Sequence, residues 1–311
     1  MFTEGVYRHT YTSTASDITP QYRLTPNALL MYFQDSFARL MTIHRLAAFD
    51  IVKQQRMWVI TEVHIDIHPT DVFWSENFTV ELWVSELTSL RIYCDFRIYR
   101  NDRGELMEQR EQSPSLLGSA ESRQQKTQSQ LMEQREQSPS LLGSAESRQQ
   151  KTKGQLIASG SSQWNILDLE TKRLAPTDFL AERVTVVPTA GNHRKVRFPK
   201  STSVDMTMEH RATRLDLDFN FHVSNRSYVS IALLTMPDDV LNSQTLTSVT
   251  VHWLHETYLD DTLTCRMSRT DDGAYLHTLT NADGLVVCEL MSRWQPQLSK
   301  ADVSEVLDRE L

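Results

Sequence analysis

Cysteine is scarce in this chain and shows no pairing. Cys94, Cys265 and Cys288 are the three present in 311 residues, with no spacing that suggests a disulfide framework. Cys265 and Cys288 lie in strand-like runs, where buried free thiols are expected, and a reducing cytoplasm fits this usage. No apolar run approaches the roughly 18 residues of a membrane span, so no membrane association is expected. The opening Met-Phe-Thr-Glu-Gly-Val-Tyr-Arg lacks the charged-then-apolar pattern of a secretory signal and is not the Arg- and Ser-rich stretch of a transit peptide. A Gly-x-Ser-x-Gly elbow is missing, which argues against a serine α/β-hydrolase, and His255-Glu256-Thr257-Tyr258-Leu259 lacks the second His of a zinc-binding His-Glu-x-x-His helix. With no glycine-rich phosphate loop either, no metal and no other cofactor is expected. Basic residues are outnumbered, 32 against 40 acidic, and the net charge of -8 argues against a nucleic-acid partner. An acidic partner would need a local basic patch, and His193-Arg194-Lys195-Val196-Arg197-Phe198-Pro199-Lys200 is the dense one; it reads first as a solvated linker and second as a docking surface.

The length allows a sizeable core and about two domains. In the first half, Pro26 to Phe49 sets Leu30, Phe33, Phe37, Leu40, Met41 and His44 at helical spacing, and the chain turns strand-like from Trp58. The second half repeats that order, with a helix from about Asn225 to Leu234 and strand-like runs at 246–256, 262–268, 275–280 and 286–294. Turns are signalled at Asp271-Asp272-Gly273 and Asn281-Ala282-Asp283-Gly284. Periodicity alone therefore supports an α+β tandem. Residues 106–127 recur without change at 131–152, between strand-like 90–99 and 155–167. This block is rich in Gln, Ser, Glu and Arg, and two copies are too few for a solenoid, so it reads as a largely disordered insert in a hairpin connection.

The chemistry concentrates in residues 216–228, Asp-Leu-Asp-Phe-Asn-Phe-His-Val-Ser-Asn-Arg-Ser-Tyr. In an extended segment Asp218, Asn220 and His222 would share one face, while Phe219, Phe221 and Val223 would face the other way into apolar packing. Asn225 is then placed to cap the following helix, whose unpaired first-turn NH groups would lie beside the polar set. A carboxylate, an amide and an imidazole aimed at a shared space suit the polarisation of a carbonyl.

The run Asp-x-Asn-x-His-Val-x-Asn-x-x-Tyr, followed by His255-Glu256 at the end of a strand-like run, resembles the acyl-acyl-carrier-protein (acyl-ACP) thioesterase family. Tyr22-Arg23-Leu24-Thr25-Pro26, Trp58-Val59-Ile60-Thr61 and Leu167-Asp168-Leu169-Glu170-Thr171-Lys172-Arg173 fall in family order, and the likeness covers residues 5–105 and 154–296. It implies a tandem (double) hot-dog fold, each repeat a central helix wrapped by an antiparallel sheet. On that pattern residues 1–185 form an acyl-tail-binding repeat interrupted at 106–153, residues 186–209 a linker, and residues 210–311 the catalytic repeat. The resemblance further implies hydrolysis of a fatty acyl thioester carried by acyl carrier protein, ending chain elongation, and a start without a transit peptide suits a bacterial, cytoplasmic member. The chain could assemble as a homodimer.

Thioester hydrolysis needs an activated water and donors for the developing oxyanion. The family pattern assigns Glu256 and His222 as base, Asn220 and first-turn NH groups to the carbonyl, and Asp218 to orientation; a variant has Asp218 attack the carbonyl and form an anhydride. Many plant members carry Cys directly after the Glu, where this chain has Thr257, so a thiol nucleophile is not available there. Asn225 serves mainly as a cap on either reading, beside the substrate, and Met31, Phe33, Phe37, Met41 and Trp58 are candidates for an acyl-tail tunnel or for plain core. Asp35 reads as a polar helix-face residue rather than a catalyst. The first repeat has Asp17-Ile18-Thr19-Pro20-Gln21-Tyr22 where the second has its motif, which implies one active site per chain. The rivals are a hot-dog acyl-CoA thioesterase, a hydratase, whose Asp-x-Asn-Pro-x-His differs from the spacing here, and a non-catalytic acyl-thioester-binding protein.

Overall fold

The computed structural model describes residues 2–68, 70–101, 154–188, 196–199 and 203–297. The duplicated block at 106–152 and half of the basic stretch at 193–200 lie outside the described residues. The elements below build the compact unit formed by residues 1–100 and the chain from 156 onward.

Helix α1 (Pro26–Ile43) starts where the sequence can start one. The Thr25 hydroxyl accepts from the Ala28 NH at 3.1 Å, and Pro26 supplies a preset φ at the first helical position. Leu29, Leu30, Phe33, Phe37, Leu40 and Met41 recur at helical spacing and are all buried. Each such side chain contributes about 1.5–3 kcal/mol when fully buried. The helix ends earlier than the sequence pattern predicts: Arg45 takes a left-handed φ of 56° and the Leu46 NH closes onto the Met41 carbonyl at 2.8 Å. A short helix α2 (Ala48–Ile51) carries the remaining periodicity up to Phe49.

The strands are β1 (Phe2–Thr3), β2 (Val6–Thr12), β3 (Arg56–Ile67), β4 (Asn77–Leu87), β5 (Ile92–Arg100), β6 (Gln155–Asp168), β7 (Leu174–Ala175), β8 (Met206–Arg211), β9 (Gln244–Trp253), β10 (Thr262–Arg269), β11 (Tyr275–Thr280) and β12 (Val286–Pro296). Their order across the sheet is β1-β2-β4-β5-β6-β3-β9-β12-β11-β10-β8, with β7 paired to β6. The order is a palindrome about the β3–β9 junction: β2-β4-β5-β6-β3 in one half corresponds to β8-β10-β11-β12-β9 in the other. The junction is antiparallel, with Glu62 opposite His252 and Ile65 opposite Val249. This is the tandem hot-dog arrangement expected from the sequence. The inner face buries one continuous core that takes in Phe33 and Phe37 from α1 and Val229 and Ile231 from α3 (Asn225–Leu233). The two central helices also meet directly, the Asn27 amide donating to the Ser230 hydroxyl at 2.7 Å.

Two local expectations are corrected. Residues 217–223 are not a continuous extended segment but a tight hairpin loop: Leu217 bridges Val223, the Asp218 NH donates to the His222 carbonyl at 2.9 Å, and the Phe221 NH donates to the Asp218 carbonyl at 3.1 Å with Phe221 at φ 64°. A turn breaks the two-residue alternation, so Phe219 (80 % exposed) and Phe221 (78 %) face solvent instead of the core. Asn225 does not cap α3. Ser224 does, its hydroxyl accepting from the Ser227 NH at 3.2 Å, and Asn225 is the first helical residue.

Candidate active site

The hairpin loop 218–222 and the segment after β9 approach one another at the start of α3. The Asp218 carboxylate accepts from the Asn220 backbone NH at 2.8 Å, an Asx turn that reverses the chain and delivers His222. His222 then forms an antiparallel bridge with Tyr258, and the Val223 NH donates to the Thr257 carbonyl at 2.8 Å. These backbone links fix the distance between the two segments. The His222 Nδ1 lies 3.7 Å from the Glu256 Oε1, with side chains 24 % and 41 % exposed. That separation exceeds a direct hydrogen bond and leaves the imidazole and the carboxylate facing one another across a short gap.

Of the first-turn NH groups of α3, that of Ser227 is taken by the Ser224 cap, and those of Asn225 and Arg226 follow His222 by three and four residues in the chain. Of the sequence candidates, His222 and Glu256 are thus brought together, while Asp218 and Asn220 share the turn that delivers His222. The indole NH of Trp253 donates to the Asn225 carbonyl at 3.2 Å and ties the helix start to the end of β9.

Thr257, at the position where the resemblance anticipates a cysteine in many plant members, is 1 % exposed and turned inward. Its hydroxyl meets the Tyr228 hydroxyl at 2.7 Å, and burial pushes the Tyr228 phenol up from its usual value. The side chain that follows Glu256 therefore belongs to the support under the site. Tyr258 was not among the sequence candidates, yet its hydroxyl donates to the Glu256 Oε2 at 3.1 Å and its ring stands edge-on to that of His222, centroids 5.0 Å apart. The available signal was the i, i+2 spacing from Glu256, which in extended backbone turns both side chains the same way.

The tail-binding candidates lie on and under α1. Phe33 stacks on Phe96 at 4.9 Å, and Phe37 stacks on Trp164 at 3.7 Å and meets Trp58 edge-on at 5.3 Å. Met41 is buried beside them, Met31 and Trp58 are partly buried against the same core, and the Trp58 indole donates to the Leu46 carbonyl at 2.8 Å. Asp35 is held by Arg39 at 2.6 Å and by the Tyr11 hydroxyl at 2.8 Å, as a helix-face carboxylate would be. All three cysteines are free and buried. Among the described residues, no helix is long and apolar enough to cross a membrane, and no group of three or more His, Cys, Asp or Glu side chains could hold a metal ion.

Residues 200–296 match the family model described as the acyl-ACP thioesterase C-terminal domain, a stretch that contains Asp218, Asn220, His222 and Glu256. Over 87 residues the chain is 34 % identical to a chloroplastic acyl-acyl-carrier-protein hydrolase of Cuphea viscosissima, covering 26 % of this chain and 21 % of that relative's length. The chain thus matches only about a fifth of that curated relative. The fold is similar over nearly the whole chain to an acyl-ACP thioesterase from Bacteroides thetaiotaomicron, at TM-score 0.69 and 14 % identity, with 94 % of this chain and 98 % of that one covered. It is equally similar to a 12:0-ACP thioesterase from Umbellularia californica, at TM-score 0.70 and 15 % identity, with 96 % and 100 % covered. Residues 200–296 thus match the acyl-ACP thioesterase C-terminal domain, and the chain as a whole shares the tandem hot-dog fold of these solved structures.

Proposed function

We propose that this protein hydrolyses fatty acyl-ACP to free fatty acid and ACP, in the cytoplasm, and so ends chain elongation. The observation that carries this reading is the approach of His222 to Glu256 at 3.7 Å beside the start of α3, within the family-matched segment. A water between the imidazole and the carboxylate loses its proton to this pair as it attacks the thioester carbonyl. The Asn220 amide and the first-turn NH groups of α3 receive the developing oxyanion. The thiolate then leaves; as a comparatively good leaving group it needs little acid assistance.

For Asp218 the reading favours orientation over nucleophilic attack. Its carboxylate is engaged by the Asn220 NH of its own turn, and that turn positions both Asn220 and His222. The acyl tail runs toward the first repeat, where Met31 and Trp58 are the partly buried members of the aromatic and sulfur-containing cluster around α1. Release of free fatty acid from a chain-length panel of acyl-ACPs, beside matched acyl-CoAs, tests the proposal: carrier-bound substrates are turned over, and the best chain length reports the reach of the tail site.

A further inference from the structure

Glu256 lies just beyond β9 and is exposed, a setting in which a carboxylate ordinarily samples several rotamers and gains little from facing any one neighbour. Here its two oxygens have different partners. Oε1 faces the His222 Nδ1 at 3.7 Å, and Oε2 accepts from the Tyr258 hydroxyl at 3.1 Å. Tyr258 is itself fixed at three points. Its backbone bridges His222, its NH donates to the Asp261 Oδ2 at 2.8 Å, and its ring stands at 89° to the His222 imidazole with centroids 5.0 Å apart. With Oε2 on the Tyr258 hydroxyl, Oε1 is the oxygen turned toward the imidazole.

We propose that Tyr258 is a positioning residue: by holding the Glu256 Oε2 it aims the Glu256 Oε1 at the His222 Nδ1. The proposal deepens the hydrolase reading above and rests on it for its kinetic consequence. Burial and the neighbouring Glu256 and Asp261 carboxylates push the Tyr258 phenol above its usual value, which keeps the hydroxyl a donor throughout the neutral range.

Tyr258→Phe keeps the ring against His222 and removes the hydroxyl alone. In the full-length protein the expected result is a fall of about tenfold in kcat on acyl-ACP with KM unchanged, since aim rather than binding is lost. Because Tyr258 acts through Glu256, the same substitution made in a Glu256→Gln background costs no further activity; an additive loss would overturn the proposal. A second readout does not depend on turnover. In nitrogen-15 spectra at one fixed pH, the His222 ring signals of Tyr258→Phe move toward their positions in Glu256→Gln. Ring signals that stay at their wild-type positions would overturn the positioning role even if no thioester were hydrolysed, whereas moved signals in a protein without thioesterase activity would uphold it and sink the hydrolase reading instead.

Discussion

Arg23 holds in the first repeat the place that His222 holds in the second. Ile18 bridges Leu24 as Leu217 bridges Val223. The Thr19 NH donates to the Arg23 carbonyl at 2.7 Å as the Asp218 NH donates to the His222 carbonyl at 2.9 Å, and Tyr22 and Phe221 share a left-handed φ of 56° and 64°. The Thr25 and Ser224 NH groups each reach back to an aspartate carbonyl, of Asp17 and Asp216, at 2.8 Å. The loops are the same; their side chains are not. Arg23 pairs with Asp71, and a guanidinium cannot serve as a base near neutral pH.

Arg23→Ala should therefore leave turnover within about twofold while lowering stability by about 1.5–3 kcal/mol, the scale of a lost charged hydrogen bond. Urea unfolding beside an acyl-ACP assay checks both parts. A loss of turnover on the scale of His222→Ala would show that the first repeat also takes part in the chemistry.

The repeated architecture was legible because composition and periodicity are local signals: Leu30, Phe33, Phe37, Leu40 and Met41 announce α1, and the turn residues before Gly273 and Gly284, both at φ near 80°, bound β11 and β12. Residues 216–228 marked the candidate site for the same reason. Two features were not legible there. The reversal at 218–222 depends on a left-handed Phe221, which has no propensity signature, so alternation suggested a strand with Phe219 and Phe221 inside. Tyr258 gains its meaning from a bridge to His222 across a long stretch of sequence, which no single segment records.

Asp218→Asn and Asp218→Ala separate two roles. An asparagine oxygen can still accept from the Asn220 NH, so if Asp218 orients the turn, Asp218→Asn keeps about a tenth or more of wild-type kcat and Asp218→Ala loses about a hundredfold. If Asp218 is the nucleophile, both are equally inactive, and single-turnover kinetics will show it.

His277 gives the second repeat a built-in acid sensitivity. The Thr235 hydroxyl donates to the Ala232 carbonyl at 2.7 Å, so in its 2.9 Å contact with the His277 Nδ1 it accepts, and the proton is on Nδ1. The Nε2 is buried without a partner among the described residues, and burial pushes the imidazole down from 6.5 to about 4. Above pH 6.5 the ring is neutral folded or unfolded. As pH falls from 6.5 toward 4 only the unfolded chain takes the proton, and stability is lost, by about 3 kcal/mol in all. His277→Leu should flatten the difference in urea midpoint between pH 7.5 and 4.5; an unchanged difference would contradict this assignment.

β5 and β6 are neighbours in the sheet, and the corresponding β11–β12 connection in the second repeat is a short turn closed by the Gly284 NH on the Asn281 carbonyl at 3.0 Å. Deleting residues 106–153 should accordingly leave protein that is soluble and turns over acyl-ACP at a rate within about threefold of the full chain. Insoluble protein would show that the connection needs the deleted segment.

The most direct test of the account is free-acid release from acyl-ACP by the wild-type protein and by His222→Ala, with the folded state of each followed by thermal unfolding. Removing a partly exposed imidazole at a loop should leave the melting temperature nearly unchanged, whereas loss of the base lowers kcat/KM by about a hundredfold or more. Equal turnover by the two proteins would remove His222 from the chemistry. No release by the wild-type protein from acyl-ACP or acyl-CoA of any chain length would contradict hydrolysis itself and leave an acyl-thioester-binding protein in its place.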